Sequence, residues 1–275
     1  MDLNRYLIKY YYIGSEKYSG SQRQNNSLTI EDCLLYALKE KGYIKKEKGS
    51  SFEVASRTDK FVSARCAVFS FLTEKDPILM EINNALPWDI GTWAFAKVST
   101  DFTSRFNAFS RHYKYIIQYE RGSLDEALLE KACREFEGAH DFTNFSKKGK
   151  KEVLTRRDID HASVQVNPDF LIFDFKSKAF LRQQIRRMVT KILEVGKGII
   201  SYDEFLALFE KEEYVSYQPA DPEGLILWDI LYDDSVVFTI DPRARQRMLK
   251  YFSLQEKQLK LKAKLFSVLQ HDDIC

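Results

Sequence analysis

The stretch Phe52-Glu53-Val54-Ala55-Ser56-Arg57-Thr58-Asp59-Lys60-Phe61-Val62, apolar onward to Phe71, decides how this chain is read. Two strand-like runs, 52–55 and 62–71, flank a short polar turn whose single carboxylate is Asp59. Polar turns between strands are usually solvated connectors, so the turn gains interest only from its surroundings. Upstream, the aromatic and β-branched run 6–13 reads as a strand. Thr29-Ile30-Glu31-Asp32 resembles a capping box, and Ile30, Leu34, Ala37 and Leu38 form one helical face that ends at Gly42. Downstream, Asp76-Pro77 starts a second helix through Leu79, Ile82 and Leu86, with Pro in a first-turn position, and 92–99 alternates as a strand. The order is βαββαβ.

The second half repeats it. A strand over 112–119 precedes a helix that Ser123-x-x-Glu126 caps, running to about Glu137. Strands over 159–166 and 170–176 flank the hairpin signal Asn167-Pro168-Asp169. Leu181, Ile185, Met188 and Ile192 then fall at helical spacing, an extra helix lies near 201–212, and 224–232 is the last strand. Two such units predict an α+β fold of two ferredoxin-like half-domains, 1–108 and 109–240. Their mainly antiparallel sheets form a central cleft, and a basic helical tail follows over 241–275.

Composition narrows the class. At 275 residues, 44% hydrophobic and 30% charged, the chain is a well-folded one, and its fifteen Tyr and twenty Phe leave ring faces for flat ligands. The net charge of +2 does not itself imply a polyanion partner; its distribution says more than the sum. Residues 176–197 hold seven Lys/Arg against one Glu, 242–264 hold eight against one, and 147–157 adds Lys147, Lys148, Lys150, Lys151, Arg156 and Arg157. Each run alone is ordinary for a solvated face; three of them argue for basic surface.

Cys33, Cys66, Cys133 and Cys275 contain no C-x-x-C pair, and the four histidines lack ligand spacing. No zinc site or disulfide framework is expected. The N-terminus has no signal-peptide form and no apolar run has membrane-spanning length, so a soluble cytoplasmic protein is expected.

A family resemblance rests on a series of short motifs in one order. Ser56-Arg57-Thr58-Asp59 resembles the G-R-T-D-x-G-V-x-A loop of the tRNA pseudouridine synthase A family. Tyr18 to Gln24 is similar to its Y-x-G-W-Q-x-Q, and Asn84 to Ile90 to its N-x-L-P-x-D-I. Phe102 to Ala108 is similar to F-x-A-R-F-x-A, Arg111 to Tyr115 to R-x-Y-x-Y, and Gly138 to Phe145 to G-x-H-D-F-x-x-F. Phe180 to Met188 is similar to F-L-x-x-Q-V-R-x-M, and Pro222 to Leu225 to P-E-G-L.

The resemblance implies isomerisation of uridine to pseudouridine in the anticodon stem-loop of tRNA, at nucleotides 38–40, by a homodimer without cofactor or metal. It implies that Asp59 is the catalytic carboxylate, that Arg186 pairs with it, and that Tyr113 stacks on the uracil and helps remove the C5 proton. Whether Asp59 attacks C1′, adds to the base or removes a sugar proton stays open. Arg57, Lys60, Arg105 and Arg182 are the expected RNA contacts, Arg57 filling the stack that a flipped nucleotide vacates or holding a phosphate.

Residue by residue, blander readings compete. A Tyr on a strand ordinarily packs in a core, and Arg182, Arg186 and Arg187 have the form of a solvated helix start. His140-Asp141 looks catalytic, although the family uses this loop structurally. Two carboxylates at glycosidase spacing are not evident.

The chain departs from the family at Ser56 and Phe61, where Gly is common, at Ser21, where Trp is usual, and at Tyr12-Ile13-Gly14, which lacks an acid. Ser56 and Phe61 predict a tighter or differently shaped loop backbone. Lys60 and Ser63 follow the archaeal and eukaryotic variant of the motif. The competing class is a catalytically silent RNA-binding protein of the same fold, for which a carboxylate paired across two half-domains has no use.

Overall fold

Both halves of the chain use one strand order, and the computed structural model, which describes residues 3–149, 153–210 and 214–270, shows where they meet. The first half consists of β1 (Asn4–Tyr12), α1 (Ile30–Glu40), α2 (Glu47–Ser50), β2 (Glu53–Val54), β3 (Ser63–Thr73), α3 (Leu79–Asn83) and β4 (Ile90–Val98). The second half is β5 (Ser110–Gln118), α4 (Glu126–Arg134), β6 (Gly138–Asp141), β7 (Arg156–Val166), β8 (Phe170–Ser177), α5 (Gln184–Gly196), α6 (Tyr202–Ala207) and β9 (Leu225–Leu231). A short β10 (Thr239–Ile240) and a long α7 (Pro242–Leu269) follow.

In the first half β1 lies between β4 and β3, with β2 on the far side of β3. In the second, β5 lies between β9 and β8, with β7 beyond β8. Each half therefore has the order fourth–first–third–second of a ferredoxin-like βαββαβ unit. The half-sheets do not stand apart. A parallel pairing of Ser63 with Ile226 and Ala64 with Leu227 joins β3 to β9, making one mostly antiparallel ten-stranded sheet. The join covers two strand edges that would otherwise be open. Beyond β7, β6 adds an unexpected edge strand, and the two-residue β10 pairs with β4 at the opposite edge.

Local chemistry explains the element ends. Thr29 and Asp32 form the expected capping box of α1. One expected helix start and one expected cap are shifted. The backbone N–H of Ile78 donates to the Tyr43 hydroxyl at 2.9 Å, which holds residue 78 extended, so α3 begins at Leu79, after Pro77. Asp125, not Ser123, caps α4: its carboxylate accepts from Leu128 N–H while its own N–H donates to the Gly196 carbonyl at the end of α5. The extra helix is shorter than expected, and its last expected residues, 211 and 212, lie outside the described residues.

Most of the aromatic excess is core. Phe69 and Phe71 are fully buried in the first half, and Phe136, Phe142, Phe145, Phe173 and Phe175 in the second. Cys33, Cys66 and Cys133 are buried free thiols; Cys275 lies outside the described residues. Among the described residues, no helix is long and apolar enough to cross a membrane.

Candidate active site

The loop 56–62 ends where β3 begins, beside the start of β9, so the sheet junction carries Asp59. The loop is held at several points. Ser21 is buried; its hydroxyl accepts from Thr58 N–H at 2.7 Å and its N–H donates to the Thr58 carbonyl at 3.2 Å. The Tyr12 and Thr58 hydroxyls lie 2.7 Å apart. Gly14 permits the closest approach, because a Cβ there would fall 2.2 Å from the Phe61 carbonyl carbon.

Phe61 has φ 68°, in the left-handed region that favours glycine. The departure at 61 therefore keeps a glycine-type backbone, at a cost of roughly 1–2 kcal/mol for a residue with a Cβ. Ser21, where the family usually has Trp, acts here as a clamp on the loop.

Opposite the loop, Gln183 at φ 59° turns the chain into α5, placing Arg186 in its first turn. The Arg186 guanidinium donates from Nη1 to Asp59 Oδ2 at 3.0 Å and from Nε to the Ala220 carbonyl at 2.6 Å. Arg186 is 8% exposed and the Asp59 side chain 36%, so the cation is fixed inside while the carboxylate keeps a face to the cleft. Residues 127 positions apart thus form the ion pair expected from the motifs.

Tyr113 on β5 is both core and site: it is 6% exposed, yet it lines the cleft. Its hydroxyl lies 2.9 Å from that of Ser56, and its ring meets Phe180 edge to face at 5.4 Å. Burial raises the phenol above its ordinary value, and the Asp59 charge acts the same way; Ser56 and Arg111 oppose them without cancelling the shift. The phenol is neutral at physiological pH. Arg111, also buried, donates to the carbonyls of Ala55 at 3.0 Å, Arg105 at 2.7 Å and Lys178, stitching three segments of the cleft wall together.

The cleft measures about 1050 Å³ and is lined by Arg23, Arg57, Lys60, Arg105, Arg111, Arg182 and Arg186, which makes seven cations around one carboxylate, Asp59. Every residue singled out from the sequence, Asp59, Arg186, Tyr113, Arg57, Lys60, Arg105 and Arg182, is on this wall. Of these, Arg57, Lys60, Arg105 and Arg182 are exposed and Arg186 is buried. The reading of 182–187 as a solvated helix start fails at Arg186 and Arg187, both buried.

Arg187 and Lys191 face Tyr217, 5.0 and 4.2 Å from its ring centroid, so part of the 176–197 run is interior. In the 147–157 run, the Lys147 N–H donates to the Arg182 carbonyl at 2.9 Å, which sets the start of that run at the rim; Lys150 and Lys151 lie outside the described residues. His140-Asp141 is structural: the Asp141 carboxylate accepts from Thr143 N–H at 2.8 Å and His140 meets the Glu137 carbonyl.

Sequence reasoning gave no role to Arg111, Ser56, Ser21 or Phe180. For Arg111 the signal was the R-x-Y-x-Y motif itself, since a buried Arg needs carbonyl partners.

Comparison with known proteins follows the same line. Residues 132–233 match the family model described as tRNA pseudouridine synthase. The chain is 35% identical to tRNA pseudouridine synthase A of Methanothermobacter thermautotrophicus over 94% of its length and 91% of that protein's. The chain belongs to the tRNA pseudouridine synthase family. Its likeness to the synthase A of Methanosphaera stadtmanae is 34% over 98% of this chain and all of that one. To that of Archaeoglobus fulgidus it is 36% over 87% and 88%. Among solved structures, a chain of a Cbf5–Nop10–Gar1 complex is similar at a TM-score of 0.38 and 12% identity, over 68% of this chain and 45% of that one. So weak a likeness adds nothing to the reading. Family membership makes the protein an isomerase that forms pseudouridine.

Proposed function

We propose that the protein isomerises uridine to pseudouridine in the anticodon stem-loop of tRNA, as a cytoplasmic homodimer, with Asp59 as the catalytic carboxylate. One observation carries the assignment of the residue: a single carboxylate, fixed by a buried arginine, in a cleft otherwise lined by cations. The reaction breaks the C1′–N1 bond, turns the uracil, forms C1′–C5, removes the C5 proton and returns one to N1. Atoms balance without oxidant, reductant or co-substrate.

A uridine inside a helix cannot reach Asp59, so the nucleotide is flipped into the cleft, at a cost of a few kcal/mol. Arg57, Lys60, Arg105 and Arg182, exposed on the wall, hold phosphates around it. Arg186 orients the carboxylate. The Tyr113 ring supports the detached uracil. A neutral phenol is a poor base, so the reading gives Tyr113 its ring, not proton abstraction, as its contribution, and the C5 proton goes to the carboxylate or to water.

Incubating the protein with tRNA transcripts and mapping pseudouridine by carbodiimide-dependent reverse-transcription stops tests this reading. Stops confined to the anticodon stem-loop are expected. Stops elsewhere would overturn the position, and no stops would overturn the activity.

A further inference from the structure

The loop between β4 and β5 is built rigidly, yet it presents a large aromatic to solvent. Ser104 is fully buried, and its hydroxyl donates to the Glu53 carboxylate at 2.9 Å. The Arg105 N–H donates to the same carboxylate at 3.1 Å. The Tyr232 hydroxyl donates to the Ser104 carbonyl at 2.7 Å, and Arg111 donates to that of Arg105. The Asn107 side chain accepts from both the N–H and the hydroxyl of Thr103 at 2.9 Å. In the middle of these anchors stands Phe106, 75% exposed. Its ring lies 5.6 Å from the guanidinium of Arg105, which itself lines the cleft.

A Phe held this firmly in water loses its apolar free energy without the compensating freedom of a mobile loop. Three other Phe rings are also exposed, Phe109 at 72% on the same loop, Phe266 at 62% and Phe170 at 45%, but Phe106 is the most exposed of the four and has its ring beside Arg105, a cation of the cleft wall. A ring on an anchored loop with a cation alongside, at the edge of a cationic cleft, suits a flat and electron-rich group attached to phosphate. That is the chemistry of an unpaired nucleobase.

We propose that Phe106 is a stacking platform for a nucleobase of the RNA next to the flipped uridine, with Arg105 holding the adjoining phosphate. This deepens the function proposed above and rests on it. The backbone on either side of the ring is set before RNA arrives, so the stack forms without ordering a loop, and it positions the strand from which the target is extruded. Because every base has a π face, the contact adds affinity with little sequence preference.

The test compares Phe106→Ala, Phe106→Leu and Phe106→Trp in the full chain. It measures binding to a tRNA transcript at several salt concentrations, tritium release from 5-tritiated uridine, and sedimentation. At 75% exposure none of the changes removes core packing. Ala and Leu are expected to weaken binding by about 5- to 150-fold, the range of base–aromatic stacking. The slope of log affinity against log salt should not change, because no phosphate contact is lost. Trp should bind as wild type and gain fluorescence quenching on RNA addition, measured against the parent.

Binding by the Ala variant within twofold of wild type, with wild-type turnover intact, would overturn the inference while leaving the proposed function standing. Full affinity in the Leu variant would show apolar contact and overturn stacking. Altered sedimentation at unchanged RNA affinity would assign Phe106 to contact between protein copies, and would also overturn it. If wild type forms no pseudouridine but the Ala variant still loses affinity, the stacking stands and the proposed reaction fails.

Discussion

Replacing Arg186 with Met removes the contact that fixes the carboxylate and the one that fixes the guanidinium, while leaving an apolar stem of similar length in α5. The lost bonds run to Asp59 Oδ2 at 3.0 Å and to the Ala220 carbonyl at 2.6 Å. Hydrogen bonds to charged groups are worth about 1.5–3 kcal/mol, and water at the partly exposed Asp59 recovers a share, so folding stability should fall by about 1–2 kcal/mol.

Turnover should fall further. A catalytic group displaced by about 1 Å costs on the order of 10²-fold, and an unpinned Asp59 can rotate by at least that much. Affinity for tRNA should stay within about threefold, because Arg186 is 8% exposed and donates inward. Arg186→Lys restores the charge but not the fork that reaches two acceptors, so it should stay nearer Met than wild type. Single-turnover tritium release, with filter binding in parallel, separates the two quantities. An unchanged rate constant with all of the loss in affinity would refute the reasoning and place Arg186 on the RNA.

Other perturbations probe the loop, the charge and the sheet. Gly14→Ala puts a Cβ 2.2 Å from the Phe61 backbone, so it should cost roughly 1–3 kcal/mol in urea unfolding and lower turnover by displacing the Asp59 loop. Replacing Lys60, Arg105 and Arg182 together with Gln should flatten the salt dependence of tRNA binding by about two to three in log–log slope. Asp174 lies 2.7 Å from both His112 and Lys114; burial works against its charge, but these partners outweigh burial and hold the carboxyl well below its ordinary range. Its folded value lies below its unfolded one, so the stability it contributes is complete above about pH 4 and is lost as pH falls through the acid range. Asp174→Asn should therefore lower the urea midpoint at neutral pH and flatten its decline in acid.

The repeat was legible because hydrophobic period and turn chemistry are local: Thr29-Ile30-Glu31-Asp32 and Asn167-Pro168-Asp169 mark their own structures. The join of β3 to β9 was not, since two residues of parallel pairing leave no pattern in either strand. The expected cap at Ser123 and the expected helix start at Asp76-Pro77 moved because distant groups, the Gly196 carbonyl and the Tyr43 hydroxyl, hold the backbone there. The burial of Arg187 and Lys191 depends on Tyr217, far along the chain, which no charge count reveals. Asp59 and Arg186 were paired through motif order, not through spacing. Once a carboxylate and a cation from two half-domains are expected to meet, the fold supplies the 3.0 Å contact.

Asp59→Asn tests the central claim most directly, because it keeps the side chain's size and deletes its charge. No other carboxylate lines the cleft among the described residues, so nothing nearby can take over. Release of tritium from 5-tritiated uridine in tRNA should fall below detection, while affinity for tRNA stays within about tenfold, since phosphate contacts supply most of it. Substantial residual release by a folded Asp59→Asn protein would contradict the account and remove Asp59 from the chemistry.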